Sequence, residues 1–222
     1  MSPFDDLFAQ HVATGMARQL ALADHLGDRG WQLDLNAGMV TFGDDLRYSV
    51  QLLGTESHSD GTWLWAWANN GSNLDPELLQ LAGWLREHGR LEGVRELTEP
   101  TLRLDRVDGH RLCLVASGLT GRAYYRGTYQ GGAIFFHLEN LPSRVQGAVP
   151  PAKTFTTLGQ VLQAFAVDHR TVVVAFLRQQ GWRVDDTPQG VTARHSDGSH
   201  VRVTFDHLGR VSDMTGQVQP RG

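Results

Sequence analysis

The chain has 222 residues, of which 41% are hydrophobic and 20% charged, and its formal net charge is -4. This balance is typical of a packed globular protein with one large domain or two small ones, and it argues against a disordered chain. Because a general nucleic-acid binder needs a basic surface to displace counterions, we expect no nucleic-acid partner.

No window of the sequence approaches the roughly 18 apolar residues that a membrane-spanning helix needs, so we expect no membrane association. The first residues, Met1–Phe8, lack a basic region followed by an apolar segment, and we expect a cytoplasmic location. Cys113 is the single cysteine, which excludes an internal disulfide and a cysteine-cage zinc site. It lies in the apolar run Leu112–Val115, which is typical of a buried, inert thiol; a catalytic nucleophile is the alternative.

The N-terminal part predicts a long helix followed by short strands. Apolar residues recur at helical spacing from Phe4 to Leu26, and Gly27 and Gly30 suit the exit from the helix. Alternating patterns then predict three strands: Trp31–Leu35, Met39–Phe42 and Arg47–Leu53.

The segment Thr62–Asn69 predicts a strand that carries three of the six tryptophans. Trp63, Trp65 and Trp67 would share one face, because side chains alternate along a strand, and small or aliphatic side chains would share the other. Two apolar faces predict a central strand with a helix packed closely against the small face.

A helix start with Asp75 as N-cap and Pro76 at the first position predicts a helix that ends at Gly89. A period of two then returns, and Asp-Gly and Gly-Gly turns separate the candidate strands. These patterns predict an antiparallel meander of four strands: Thr101–Val107, Leu112–Ser117, Arg122–Tyr129 and Ala133–Leu138.

Three prolines between Leu141 and Lys153 indicate a linker or a long ordered connection. A helical region from Thr157 to Gln180 follows, within which Asp168 could cap a second helix. The chain closes with predicted strands at Trp182–Asp185, Val191–His195, Val201–Phe205 and Arg210–Thr215. We therefore predict a main domain over 1–140, a proline-containing linker over 141–153 and a smaller unit over 154–222.

A weak internal repeat relates Gly30-Trp31 to Gly181-Trp182 at an offset of 151 residues. Each copy follows a helix and precedes strands, with the glycine expected at positive φ and the tryptophan packing back on that helix. Two explanations of this repeat stay open: residue preferences that are common at helix-to-strand connections, and duplication of one unit. The predicted fold class is α+β, with antiparallel β-meanders packed against helices and a helix-then-meander unit that duplication would repeat.

Three segments carry a resemblance to a known family: Gly54–Ser57, the tryptophan strand Thr62–Asn69 and Arg122–Tyr125. On these residues, and over roughly residues 4 to 138, the chain resembles an uncharacterised family of bacterial proteins. The resemblance implies a bacterial cytosolic protein. It implies no activity, cofactor or catalytic residue.

The histidines give one weak candidate for a metal site. His195 and His200 flank an Asp-Gly turn and could face each other, with Asp206 nearby in sequence. The same Asp-Gly sequence is what an exposed hairpin needs, and no stronger ligand spacing occurs. We expect neither a metal nor another cofactor.

Arg122, Tyr124 and Arg126 form the best candidate binding site, because alternate residues of a strand share a face. Two guanidinium groups around a phenol could hold an acidic protein or an anionic small ligand by charge-assisted hydrogen bonds and stacking. A solvated sheet face without a binding role is the alternative.

Two functions therefore remain open from the sequence. The first is a non-catalytic interaction protein, adaptor-like or immunity-like, which binds through the Arg122/Tyr124/Arg126 face. The second is a small-molecule-binding protein or hydrolase with a cleft lined by histidine and aspartate between the two units. The first is favoured because no catalytic constellation stands out.

Overall fold

The computed structural model describes residues 2–219 and has an α+β fold. The helices are α1 Pro3–Leu26, α2 Gln80–Glu92, α3 Arg95–Thr98, α4 Gly109–Thr120, α5 Ser143–Gln146, α6 Pro151–Ala164 and α7 His169–Gln179, with 3-10 turns at Ala66–Ala68 and Pro76–Leu79. The strands are β1 Trp31–Asp34, β2 Met39–Phe42, β3 Leu46–Ser57, β4 Thr62–Trp65, β5 Thr101–Arg103, β6 Tyr124–Tyr129, β7 Gly132–Leu138, β8 Arg183–Thr187, β9 Gly190–Arg194, β10 His200–Phe205 and β11 Val211–Gln217.

Strand β3 organises the larger, seven-stranded sheet. It pairs with β2 through residues 46–49, with β4 through residues 54–57 and with β7 through residues 50–57, and every pairing is antiparallel. The outer positions are taken by β1 beside β2, β5 beside β4 and β6 beside β7. A bulge at Leu53 breaks the alternation of β3, which changes the side to which the following residues point.

Both faces of this sheet are covered by apolar side chains. On one face, Trp63 and Phe135 pack with α1 and α4 in the main hydrophobic cluster. On the other face, the hairpin β1–β2 folds over the sheet and buries Phe42 and Phe136 together with the C-terminal end of α1. Two-sided burial is the reason that β7 reads as a nearly continuous apolar run.

The tryptophan strand is part of the core, as its pattern predicts. Trp63 and Trp65 are fully buried, and their rings meet edge to face at 5.3 Å. The strand ends at Trp65, where a 3-10 turn begins, so Trp67 is only half-buried and does not continue the stripe. Helices α1 and α4 pack on the bulky tryptophan face. From the predicted small face, Ala66 shares a buried cluster with Leu78 and with Ala82 of α2, and Leu64 lines an open cavity.

The expected strand over Leu112–Ser117 is also wrong, because these residues lie in α4. Asp108-Gly109 does not form a hairpin turn; Asp108 is the N-cap of α4 and accepts a hydrogen bond from the backbone N–H of Arg111 at 2.8 Å. An aspartate before a glycine serves both turns and helix starts, so the local signal does not distinguish them. Within the helix, all residues of the run Leu112–Ser117 are buried. A helix that is buried on every side is apolar on every side, so its sequence shows no clear helical period.

The C-terminal residues form α6, α7 and a four-stranded antiparallel sheet in the order β11-β10-β9-β8. Asp168 caps α7 by accepting from the N–H of Thr171 at 2.7 Å, so the predicted helical region is two helices. The predicted linker is an ordered connection that contains α5, and Val145 is fully buried in it. The division into units 1–140 and 154–222 stays a prediction, and side chains from both sides of it share the main hydrophobic cluster.

In both halves of the chain, a helix is followed by an antiparallel meander: α1 by β1–β3, and α7 by β8–β11. The glycines differ from the expected repeat. Gly181 leaves α7 at a φ of 81°, whereas at the end of α1 it is Gly27, not Gly30, that takes a positive φ of 58°.

Within residues 2–219, none of the helices combines the length and apolar character needed to cross a membrane.

We predict that Trp65→Ala lowers the free energy of unfolding by about 3–5 kcal/mol, because it leaves a large cavity in the core. The substitution also removes the hydrogen bond from the indole Nε1 to the carbonyl of Glu96, at 3.0 Å. Urea denaturation measures the change. Trp84→Ala is the matched control, since Trp84 is 47% exposed and should cost far less. Equal costs for the two variants would contradict the placement of Trp65 in the core.

Candidate functional site

Arg122, Tyr124 and Arg126 do not form the exposed stripe that the sequence predicts, because Tyr124 is buried. Tyr124 and Arg126 do share one face of β6, but that face is turned towards α4, and Tyr124 is only 3% exposed. The Tyr124 hydroxyl lies 3.0 Å from Nδ1 of His110 at the start of α4. Burial raises the pKa of Tyr124 well above its usual value. Direct contact between this phenol and a partner would need α4 to move.

The two arginines already have carboxylate partners. Nη1 of Arg122 lies 2.8 Å from Oε1 of Glu139, and Nη2 of Arg126 lies 3.4 Å from Oε2 of Glu56. Glu56 is nearly fully buried, and its other oxygen accepts from the N–H of Gly109, at the first position of α4, at 2.9 Å. A positively polarised helix start and a guanidinium together hold the buried carboxylate, so this group supports the fold.

Strand alternation correctly predicts that Tyr124 and Arg126 point the same way. It does not predict that α4 covers them, because α4 itself is expected as a strand. The binding role of Arg122, Tyr124 and Arg126 stays a prediction, with Arg122 the most exposed of the three side chains.

The two candidate histidines lie on opposite faces of the C-terminal sheet. His195 follows β9, pairs with Asp197 at 3.0 Å and packs against the ring of Trp182. His200 begins β10 and is exposed on the outer face. In the part of the chain that the structure describes, no group of three or more His, Cys, Asp or Glu side chains lies close enough to hold a metal ion.

Cys113 is fully buried in α4, and burial raises the pKa of its thiol well above the usual value. A thiol that remains protonated and has no access to solvent is a poor nucleophile. The buried, inert role predicted for Cys113 therefore fits its position.

A cluster of exposed basic side chains lies on the outer face of the C-terminal sheet. The strand register puts Arg183 of β8 directly opposite Arg194 of β9, and Arg194 directly opposite His200 of β10. Arg202 lies two residues further along β10 and therefore on the same face. All four side chains are exposed, and we call them the basic face.

Among the described residues, the arginines of the basic face have no charged partner. Within residues 2–219, Arg183, Arg194 and Arg202 make no ion pair and no side-chain hydrogen bond, although Asp185 and Asp213 lie elsewhere on the same sheet face. A groove of about 530 Å³ runs beside Arg194, His200 and Arg202. Alternation predicts that each side chain is exposed, but the alignment of the arginines depends on hairpin register, which alternation does not specify.

A separate apolar cavity of about 260 Å³ opens on the small face of the tryptophan strand. Leu64 of β4, Thr55 of β3 and Ile134 of β7 are aligned across its floor by the strand register. Tyr129 at the end of β6 forms part of the wall and is half exposed. The cavity could accommodate a small apolar group.

Residues 5–141 match a family of unknown function, DUF6882. The chain belongs to this family. The search of curated proteins and the search of solved structures each found no match. The matched DUF6882 region holds the seven-stranded sheet, the apolar cavity and the ion pairs of Arg122 and Arg126, whereas the basic face lies beyond it.

His137 is a buried polar group in the DUF6882 sheet. It lies on β7 opposite Tyr124, is fully buried, and has no hydrogen-bond partner for either ring nitrogen within residues 2–219. Burial, with a smaller effect from the Arg122 charge, lowers the pKa of His137 to about 3. The imidazole is therefore neutral in the folded protein across the physiological range.

We predict that Arg126→Ser lowers the free energy of unfolding by about 1–3 kcal/mol, since the buried carboxylate of Glu56 loses a charged partner. Arg122→Ser should cost under about 1 kcal/mol, because its ion pair is more exposed. Chemical denaturation of both variants gives the comparison. A double variant, Glu56→Gln with Arg126→Ser, should recover part of the loss, and no recovery would mean that the Glu56 charge is not the cause.

We predict that stability falls as the pH is lowered below about 6.5, the ordinary histidine pKa, towards the folded-state value for His137. In this window the unfolded chain binds more protons than the folded protein, and the contribution is complete only above it. From pH 7 to pH 5 the loss from His137 is on the order of 2 kcal/mol. His11, whose pKa burial lowers to about 4, acts in the same direction.

Urea denaturation at several pH values tests this expectation. His137→Leu should be at least as stable as the wild type at pH 7 and should show a shallower loss on acidification, because an apolar group replaces an unpaired polar one. His207→Leu, at an exposed turn, is the control. An unchanged pH slope in His137→Leu would contradict the prediction.

Proposed function

We propose that this protein is a non-catalytic interaction protein that binds an acidic protein segment through the basic face. The observation that carries the proposal is the alignment of Arg183, Arg194 and His200 across three neighbouring strands. The proposal includes an adaptor-like role in the bacterial cytoplasm; the resemblance of the N-terminal region supports the location and not the role.

The arrangement is unfavourable for the isolated protein. Like charges directly opposite each other on a sheet reduce stability, and Arg183 and Arg194 are such a pair. Many other arginines of the chain lie beside a carboxylate, as Arg170 and Arg210 do near this same sheet. An anionic partner would relieve this repulsion, since Asp185 and Asp213 share the face but form no ion pair with these arginines within residues 2–219.

The chemistry of the face favours carboxylates. Guanidinium groups bind carboxylates through two parallel hydrogen bonds, and exposed arginines lose little hydration energy in doing so. The four side chains span only three strands, roughly 10 Å at the usual strand spacing. A short acidic segment fits this width, whereas the net charge of -4 disfavours a long nucleic acid.

Binding of a fluorescently labelled hexaglutamate peptide, measured by anisotropy, tests the proposal. The triple variant Arg183→Ser, Arg194→Ser and Arg202→Ser should bind about tenfold or more weakly, and wild-type affinity should fall with salt, because exposed charges are screened. The matched control replaces Arg47, Arg106 and Arg178 by serine. These arginines are also exposed and lack ion pairs within residues 2–219, so both triple variants change the net charge equally.

Equal losses in the two triple variants would mean that only net charge matters and would contradict a site on the basic face. Tighter binding of a labelled oligothymidine than of hexaglutamate would also contradict the proposal, in favour of a nucleic-acid surface. Circular dichroism confirms that each variant folds. We expect Arg194→Ser alone to raise the melting temperature, because it removes a like-charge pair.

A further inference from the structure

A second basic feature lies inside the molecule, in a cavity of about 470 Å³ between α1 and the α5–α6 segment. Its volume is in the range of roughly 300–1,000 Å³ that is usual for small-molecule sites. Three basic side chains line it: Arg18, Arg144 and Lys153. The cleft hypothesis from the sequence expected histidine and aspartate between the units, and neither residue type lines this cavity.

Arg18 is a buried cation that meets no counter-ion in the part of the chain that the structure describes. It projects from α1, is only 7% exposed, and forms no ion pair with any carboxylate in residues 2–219. Its Nε donates to the carbonyl of Gly121 at 2.9 Å, and its Nη1 donates to the carbonyls of Val145 and Gly147. These bonds hold the guanidinium in place, while Nη2 makes no hydrogen bond to the described residues.

A buried charge is costly unless an opposite charge compensates it. Backbone carbonyls offer partial compensation, and burial alone lowers the pKa of Arg18. Arginine nevertheless remains charged in proteins, so the cavity wall carries a fixed positive charge. An anion in the cavity would complete the set of partners.

The rim adds two further cations. Nη2 of Arg144 lies 2.7 Å from Nδ1 of His25, and Nζ of Lys153 lies 3.1 Å from Asp24. Since a guanidinium only donates, Nδ1 of His25 must accept, and Arg144 therefore has no carboxylate in this contact. Helix α6 begins at Pro151 beside the cavity, without a side-chain cap. Proline has no N–H, and the N–H of Lys153 donates to the carbonyl of Pro150, so the helix start adds little to the positive potential.

We propose that this cavity is a binding site for a small molecule that carries a phosphate group, with Arg18 as the fixed anchor and Arg144 and Lys153 as rim contacts. One buried guanidinium and two exposed cations suit a dianion better than a monoanion, because each added negative charge meets another cation, with Lys153 exchanging Asp24 for the ligand. The cavity exceeds the size of inorganic phosphate, so the ligand is a phosphate ester whose organic part contacts the apolar side chains Leu20 and Val149. This site is independent of the basic face.

Isothermal titration calorimetry and thermal unfolding with three probes test the proposal: phenyl phosphate, inorganic phosphate and acetate. We expect phenyl phosphate to bind most tightly, inorganic phosphate more weakly and acetate hardly at all. The double variant Arg144→Ser with Lys153→Ser should weaken phenyl phosphate about tenfold, because two charge-assisted contacts are lost. The control Arg47→Ser with Arg106→Ser removes the same charge from other surfaces and should bind normally.

Arg18→Met removes the anchor and should abolish phenyl phosphate binding. Since Arg18 also joins α1 to three carbonyls, this variant is interpreted only if its circular dichroism and cooperative melting are retained, and the rim variant does not depend on it. Binding of acetate as tight as that of phenyl phosphate would overturn the proposal. Unchanged phenyl phosphate affinity in the rim variant, or equal losses in the rim and control variants, would overturn it as well.

Discussion

The close contact between α1 and α4 is the constraint on which the rest of the structure depends. A Cβ atom at Gly15 of α1 would lie 2.4 Å from the carbonyl oxygen of Leu114, and one at Gly118 of α4 would lie 2.4 Å from that of His11. The two helices therefore touch backbone to backbone, and only glycine fits at either position. This approach brings α4 onto the tryptophan face of the large sheet and leaves the opposite side of α1 free for α6 and α7. One helix thereby joins both sheets, and its buried residues lie on more than one side.

Buried charges in this protein are compensated in two different ways. Glu56 is held by the start of α4 and by Arg126, and removal of either partner would leave a carboxylate in the core without enough donors. Arg18 has carbonyl oxygens but no carboxylate among residues 2–219. The first arrangement is complete within the protein and explains a structural role. The second is incomplete and lines a cavity, which is why Arg18, and not the Glu56 pair, indicates a ligand.

Exposed arginines show the same contrast at the surface. Arg122, on the strand first expected to bind a partner, is paired with Glu139, so its charge is already neutralised locally. The basic face, on a sheet beyond the DUF6882 match, concentrates arginines that form no ion pair with any described residue. A pair of like charges across two strands has a cost in stability that a monomeric fold does not require. Uncompensated charge, more than the presence of arginine itself, separates a binding surface from an ordinary solvated one.

Local pattern alone determined most of the secondary structure. The helical period of Phe4–Leu26, the alternation of β2 and the glycine turns of the C-terminal sheet each report on a few neighbouring residues, and all are found close to their expected bounds. The burial of Trp63 and Trp65 follows from the same kind of information, because two apolar faces on one strand leave no face for water.

Only the tertiary structure decided which faces are covered and which charges meet. The run Leu112–Ser117 is apolar in every direction, so its period could not distinguish a strand from the buried helix α4. Because α4 was not predicted, the burial of Tyr124 beneath it was not predicted either. Arg183 and Arg194 are 11 positions apart, and Arg18 and Lys153 are 135 positions apart. Their proximity depends on hairpin register and on helix packing respectively, neither of which is encoded in a short window of residues. Periodicity shows which side chains share a face, but the charge balance of a site depends on residues that the fold brings together from distant parts of the chain.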